Sequence, residues 1–456
     1  MQPSDLTLKQ AVERLRCGEL GAEEYAEDLL ARCETARPLN AYVSLDGDRV
    51  LDAARALDRR ERSRGPLGGI PLCVKDAIDI EGTATTAATP SLERNHPGRT
   101  ASAIERLFDA DAVLMGKTNL PELCFHVTCD NAHTGPTRNP VKPEYTAGGS
   151  SGGTAAAVAA HTVPAGVGTD TAGSVRIPAA FCGLSGFRPS LGRYPTDGVL
   201  PMNASRDTIG LMARTTRDIA FLDAILTGEA EVGPAPLEGL RLGVPMDQFF
   251  VELDDQIAAV MEDALLHLRH LGVDLVEVDA PDFAAARAET SGPTMRVEFP
   301  RDLARYLDEV GSDLTAGDVV SQIASPYVKA EVEPLVCGAG GAAAAEYARV
   351  RSEVLPRHRA AYQAYLEENG LAGMVYPTTP LMPAPIGETE KVTVNGKEVS
   401  IWQTLRHTVT AAVLGVPALS VPAGTTPRGL PVGLEFAGAG QADRTVLALG
   451  LAWETG

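Results

Sequence analysis

The sequence reads as an α/β protein with a largely covered sheet. From Pro66 onward, short apolar runs alternate with helical patterns, and Gly/Pro loops punctuate the two. The composition agrees: 44% hydrophobic and 22% charged among 456 residues is an ordinary globular balance, with enough apolar material for a large core. That length permits two or three domains, but α/β folds of this size also occur as one. One unit spanning 1–456 is therefore expected.

The elements follow in chain order. Residues 1–62 form an N-terminal helical segment, with apolar residues at helical spacing: Leu8, Val12 and Leu15, then Tyr25, Leu29 and Leu30, then Val50, Ala54 and Leu57. The stretches "GIPLCVKD", "AVLMGKTN" and "VPAGVGTD" read as buried strands within a core at 66–226, with helices at 102–109, 154–161 and 216–226. "LRLGVP", "VDLVEVD", "GMVYPTTP", "PALSVPAG" and "PVGLEFAG" read as later strands, with a helix at 255–271. Strands on both sides of "TGEAEVGPAPLEG" (227–239) suit one sheet, so that stretch is expected as a long surface connection. Residues 281–370 are mostly helical and irregular. "KVTVNGKEVS" (391–400) is a hairpin turning at Asn395-Gly396.

The net charge of −20 argues against nucleic acid or an anionic membrane as a partner. No apolar run reaches membrane-spanning length, and the N-terminus lacks the basic and apolar regions of a secretory signal. A cytoplasmic location is expected. Seven scattered cysteines (17, 33, 73, 124, 129, 182, 337) favour reduced thiols over a disulfide framework. The tightest group, Cys124, His126, Cys129 and His133, matches no common zinc spacing, so no metal is expected there.

The most demanding stretch is "TAGGSSGGTAAAVAAH" (146–161), which sets Ser150 and Ser151 between pairs of glycines. A phosphate cradle would need a terminal Gly-Lys-Ser/Thr, which is missing; the "GKT" at 116–118 has Asp111 where glycine is required. A nucleophile elbow fits the letters G-x-S-x-G. However, the strand that should precede it is "NPVKPEYTAG", with two prolines and no apolar run. His358 and His407 would be its available bases. A third reading joins distant residues. Ser174, in "GTDTAGSVRIPAAFCG", is a second glycine-flanked serine, and Lys75 ends the apolar run "GIPLCV". A lysine there is either a snorkelling surface residue or a partly buried base.

At this point the sequence resembles the amidase signature hydrolases. "GIPLCVKD", "GKTNLPE", "TRNP", "AGGSSGGTAAAVAA", "GTDTAGSVRIPAAFCGLSGFRP" and "GVPALSVPAG…GLPVGLEFAG" occur in the family's order over nearly the whole chain. The resemblance implies a single-domain fold: a large mixed, twisted sheet covered by helices on both faces. It implies a Ser-cisSer-Lys triad at Ser174, Ser150 and Lys75, with Ser151 as a supporting neighbour. It further implies an oxyanion hole from the backbone N–H groups of Thr171, Ala172, Gly173 and Ser174. Asp170 and Arg176 would tie the loops together. The family commonly has glycine where this chain has Ala172, and the added methyl would discourage a positive φ there. Asp76 is expected to face away from Lys75, since adjacent strand residues point to opposite sides.

A serine is a poor nucleophile until a base takes its proton, and a lysine serves as base only when neutral, a form that burial favours. The resemblance thus implies amide hydrolysis to a carboxylic acid and ammonia through an acyl-enzyme, without a cofactor. Within the family, "CGLSGFRPSLGRYPTDGVLP" and "SRDTIGLMARTTRDIAFLDAIL" are most similar to the mandelamide and indoleacetamide hydrolases. That implies an aryl or arylacetic primary amide as the small-molecule partner. The 281–370 region, with Phe283, Met295, Phe299, Tyr306 and Tyr327, would wall the acyl group or simply form the core of a helical layer. Two alternatives stand: the A subunit of a glutamyl-tRNA amidotransferase, which usually carries glutamine where this chain has Ile177, and an inactive amidase-like binding protein. A homodimer is left open.

Overall fold

The computed structural model describes residues 2–60, 65–337 and 341–456. Residues 61–62 of the N-terminal segment, 338–340 of the variable region and the side chain of Cys337 lie outside the described residues.

Thirteen strands occur among the described residues: β1 (Tyr42–Leu45), β2 (Pro71–Lys75), β3 (Val113–Thr118), β4 (Ala165–Asp170), β5 (Ser185–Arg188), β6 (Thr208–Ala213), β7 (Arg241–Gly243), β8 (Asp274–Val276), β9 (Gly373–Pro377), β10 (Lys391–Val394), β11 (Lys397–Ser400), β12 (Ala418–Thr425) and β13 (Pro431–Gly438). Eleven of them form one sheet in the order β1-β3-β2-β4-β6-β5-β12-β13-β9-β7-β8, while β10 and β11 pair as a separate hairpin. The sheet is mixed. β2 runs parallel to β3 and β4, whereas β4-β6, β6-β5, β5-β12, β12-β13 and β13-β9 are antiparallel.

Every residue of β2, β4, β5, β6, β9 and β13 is buried. A strand buried at consecutive positions is covered on both faces, which is why these segments read as unbroken apolar runs rather than as alternating patterns. The main core joins the N-terminal helices Leu8–Cys17, Ala22–Ala36 and Gly47–Asp58 to β2, β4, β6 and β13. A second cluster packs Phe299, Leu303 and Val328 of the 281–370 region against Leu120, Leu123 and Phe125. Among the described residues no helix is long and apolar enough to cross a membrane.

Three strands escaped the sequence reading. β1 interrupts the N-terminal helical segment, and four residues at a sheet edge leave little periodicity. β5 is four residues interrupted by Gly186, and β6 is a buried six-residue run around Gly210 that the sequence reading passed over. The helix expected at 154–161 starts earlier, at Gly152–Ala159. The 228–239 connection has no regular structure and is mostly exposed, as expected.

Candidate active site

β2 ends on Lys75, whose side chain is fully buried. Its Nζ donates to Ser150 Oγ at 2.7 Å and to Thr169 Oγ1 at 2.8 Å. Of the two readings of this lysine, the buried one holds: it does not snorkel. Asp76, the next residue, turns to the other face as expected and pairs with Lys117 at 3.1 Å.

The peptide bond between Gly149 and Ser150 is cis. The glycines that follow serve close packing. A Cβ on Gly153 would lie 2.4 Å from Asn119 N and 2.5 Å from Ala41 O, so only glycine lets this helix start reach the end of β3. Ser151 is fully buried; its Oγ donates to Thr169 O at 3.1 Å and accepts from Thr169 N at 3.3 Å. The N–H of Ser151 also donates to Ser174 O at 3.0 Å, which ties the two serine loops together. Ser151 therefore fastens the loop to β4, and its hydroxyl bonds to the backbone of Thr169 and not to Lys75.

Ser174 follows β4 in a tight loop that leads into the helix Arg176–Cys182, and it is 8% exposed, against 1% for Ser150. Asp170 organises this loop from beneath. Its carboxylate accepts from Gly173 N (2.9 Å), Val175 N (3.3 Å), Arg176 Nε (3.1 Å) and Arg188 NH1 (2.9 Å). Burial pushes its carboxyl up, but Arg176 and Arg188 together outweigh that and hold it well below the usual carboxylate range. Arg176 reaches on to Glu435 of β13 at 2.6 Å, and Tyr376 of β9 donates to the same oxygen at 2.9 Å. A fully buried charged chain thus links β4 to the far half of the sheet.

Among the four expected oxyanion donors, Gly173 differs, because its N–H is already held by Asp170. The N–H groups of Thr171, Ala172 and Ser174 have no acceptor among the described residues. The left-handed residue of the loop is Gly173 (φ +125°) and not Ala172, so the alanine carries no conformational penalty. A Cβ at Gly173 would collide with Thr408 Oγ1, at 2.2 Å. Ala172 is fixed instead through its carbonyl, which accepts from Thr408 Oγ1 at 2.7 Å, and it packs against an apolar cluster that includes Val354 and Val409. Thr171 Oγ1 donates to Asp207 at 2.6 Å.

Sequence reasoning missed Thr169, Arg188, Asp207, Thr408 and Glu435. Asp207, Thr408 and Glu435 lie far from the serines along the chain, where no local pattern marks a long-range hydrogen bond; Arg188 closes the same stretch as Ser174 but meets Asp170 only through the fold. Thr169 adjoins Asp170 in the signature itself, and alternation along β4 was the signal that could have found it.

The remaining candidates fall elsewhere. Phe283, Phe299 and Tyr306 are buried core residues: Phe283 stacks on Phe249, Phe299 meets Phe125 edge-on, and Tyr306 donates to Asp79. Met295 packs against the same cluster as Phe299. Two of these residues reach cavities: Tyr306 lines one of about 350 Å³ with Arg99, Asp207 and Asp302, and Tyr327 lines another. Tyr327 shares its space of about 340 Å³ with His126, Trp402, Glu331, Glu390, Lys391 and Glu398. The backbone of His126–Thr128 runs against Gly149, where a Cβ would come within 3.1 Å of His126 O and 2.9 Å of Thr128 O. His126 therefore belongs both to the wall of this cavity and to the segment packed against Gly149.

His126 is engaged at both ring nitrogens, by Thr128 Oγ1 (2.7 Å) and Thr389 O (2.9 Å), and burial pushes it down to about 4. His133 pairs with Glu93 and His358 with Glu289. His407 is fully buried, with Nδ1 2.7 Å from Pro377 O. None of these histidines is hydrogen-bonded to a signature serine. Among the described residues no group of three His, Cys, Asp or Glu side chains is arranged to hold a metal ion. The cysteines with described side chains are free thiols.

A family model described as Amidase matches residues 24–447. The chain is similar to an indoleacetamide hydrolase of Agrobacterium vitis, 40% identical over 98% of this chain and 96% of that protein. It is similar to a mandelamide hydrolase of Pseudomonas putida, 33% identical over 98% of this chain and 90% of the relative. Among solved structures, the native peptide amidase from Stenotrophomonas maltophilia superposes with a TM-score of 0.85 at 30% identity, covering 99% of this chain and 96% of that one.

Proposed function

The chain belongs to the amidase family, an amidohydrolase acting on carbon–nitrogen amide bonds, and on that premise we propose that it cleaves aryl or arylacetic primary amides through Ser174, Ser150 and Lys75. The observation that carries the triad is the buried amine of Lys75, held between two hydroxyls and hydrogen-bonded to no carboxylate.

The Lys75–Ser150 hydrogen bond supports the base end of the relay, and the link from Ser150 to Ser174 is taken from the resemblance to the amidase signature hydrolases. In its neutral form Lys75 accepts the Ser150 proton as Ser150 takes the proton of Ser174, whose Oγ attacks the amide carbon. The carbonyl oxygen becomes an oxyanion held by the N–H groups of Thr171, Ala172 and Ser174, each donor being worth a few kcal/mol in such sites. When the intermediate collapses, the proton returns from Lys75 through Ser150 to the leaving nitrogen. Ammonia departs and the acyl group stays on Ser174 as an ester. Water then attacks by the same relay and releases the carboxylic acid.

Two things support the aromatic acyl group. The names of the relatives point to indoleacetamide and mandelamide. The cavity that shares His126 with the segment packed against Gly149 offers Tyr327, Trp402 and His126 as aromatic walls. Its charged rim is dominated by Glu331, Glu390 and Glu398, so a substrate bearing its own carboxylate gains little there. A flat ring desolvated against such walls gains a few kcal/mol over a methyl group. Steady-state ammonia release from phenylacetamide, benzamide, acetamide and glutamine tests this. The aryl amides should exceed the other two in kcat/KM by at least about a hundredfold. A preference for glutamine would move the protein to the amidotransferase reading.

A further inference from the structure

The site contains a second buried lysine that the proposed chemistry does not use. Lys117, on β3, is fully buried, as is Lys75 on β2 beside it. The register pairs Val74 with Lys117 and Lys75 with Thr118, so the two lysines point to opposite faces of the sheet. Lys117 Nζ pairs with Asp76 Oδ1 at 3.1 Å and donates to Ala84 O and Thr85 Oγ1, each at 3.1 Å. Asp76 is 1% exposed and directly follows Lys75; it also accepts hydrogen bonds from the backbone and hydroxyl of Thr86.

We propose that Lys117 is a positioning residue that neutralises Asp76 and so keeps Lys75 available as a base. This rests on the lysine-base reading. A carboxylate on the residue adjoining Lys75, away from water, favours the ammonium form of that lysine and would silence it. The structure sets Lys117 against this carboxyl from the neighbouring strand, and Lys117 and Thr86 oppose the burial that pushes the Asp76 carboxyl up.

The other groups around Lys75 are already balanced. Ser150 and Thr169 bond to it directly. Cys129, from the loop side, is a thiol that burial pushes up to about 12. Asp170 at the end of β4 is paired with Arg176 and Arg188. Asp79, on the segment after β2, accepts from Tyr306, and its carboxyl is pushed up by burial. The helix Gly152–Ala159 carries no charged residue. The Asp76–Lys117 pair is therefore the adjustable one.

The test is the ascending limb of kcat/KM against pH, measured by ammonia release from phenylacetamide in the full-length protein. Lys117→Met should move the limb to higher pH by about one unit, because the carboxylate held by Thr86 is no longer neutralised. Asp76→Asn should move it to lower pH by a similar amount, because Lys117 then acts on Lys75 alone. The double variant should return the limb to its original place. Opposite shifts that cancel are not produced by a merely structural pair. If Lys117→Met does not fold, the acid shift of Asp76→Asn carries the test. The proposal is overturned if the single variants leave the limb in place, or move it the same way, while Lys75→Ala abolishes activity. A Lys75→Ala enzyme that kept both activity and the limb would instead overturn the lysine-base reading.

Discussion

The two adjacent serines are separated by their partners. Ser150 Oγ meets the amine of Lys75, whereas Ser151 Oγ is spent on the backbone of Thr169. Their substitutions should therefore differ in kind. Ser174→Ala should remove almost all turnover in a folded protein, and Ser150→Ala and Lys75→Ala should each cost orders of magnitude in kcat/KM. Ser151→Ala should mainly cost stability, about 1–3 kcal/mol for the buried backbone groups it leaves unpaired, with a smaller loss of rate. Urea unfolding beside ammonia-release kinetics separates the two effects. If Ser151→Ala inactivated the enzyme while Ser174→Ala turned over, the elbow reading would replace this one. At this scale the sequence was legible where chemistry is compact: two glycine-flanked serines and a strand-end lysine, together with the family resemblance, narrowed the choices. It was silent on Asp207 and Thr408, whose hydrogen bonds to the loop span 36 and 236 residues.

The element that matters most is the loop from Asp170 to the helix Arg176–Cys182. Its shape rests on one carboxylate that accepts from two backbone amides and two arginines, all out of water. Breaking such a cluster leaves charges buried without partners, which typically costs about 3–5 kcal/mol. Asp170→Asn should therefore unfold at markedly lower urea, and the surviving folded fraction should lose kcat as Gly173 and its neighbours relax. A variant as stable as the parent would show that the arginines find other partners. The sequence named Asp170 and Arg176 as ties, but it gave no view of Glu435 at the far end of the chain. The loop also explains why Ala172 is tolerated: the left-handed conformation falls one residue later.

Over the whole molecule, the buried strands were legible because double coverage turns them into unbroken apolar runs, while β1 and β5, four residues each, are too short to show. The 281–370 layer was legible as helix but not as pocket or core, since an aromatic residue at helical spacing looks the same in both. Phe283 and Phe299 proved to be core, while Tyr306 is buried and also lines a cavity. Packing also sets the acid stability. Burial pushes His126 down to about 4, and burial with Arg406 nearby pushes His407 down to about 3, from about 6.5 in an unfolded chain. Both remain neutral when folded, so their contribution is complete above about pH 6.5 and is lost as pH falls towards these values. Unfolding free energy should decline from about pH 6.5 downward, and His126→Asn or His407→Asn should reduce the slope. A flat profile over that window would contradict the burial of these rings.

The central claim is that the acyl group is carried by Ser174. Acid quenching during turnover of phenylacetamide or its ethyl ester, followed by peptide mass analysis, should find the phenylacetyl mass on the peptide holding Ser174. It should be absent from Ser174→Ala. The adduct on Ser151, or continued turnover by Ser174→Ala with no adduct anywhere, would contradict the account.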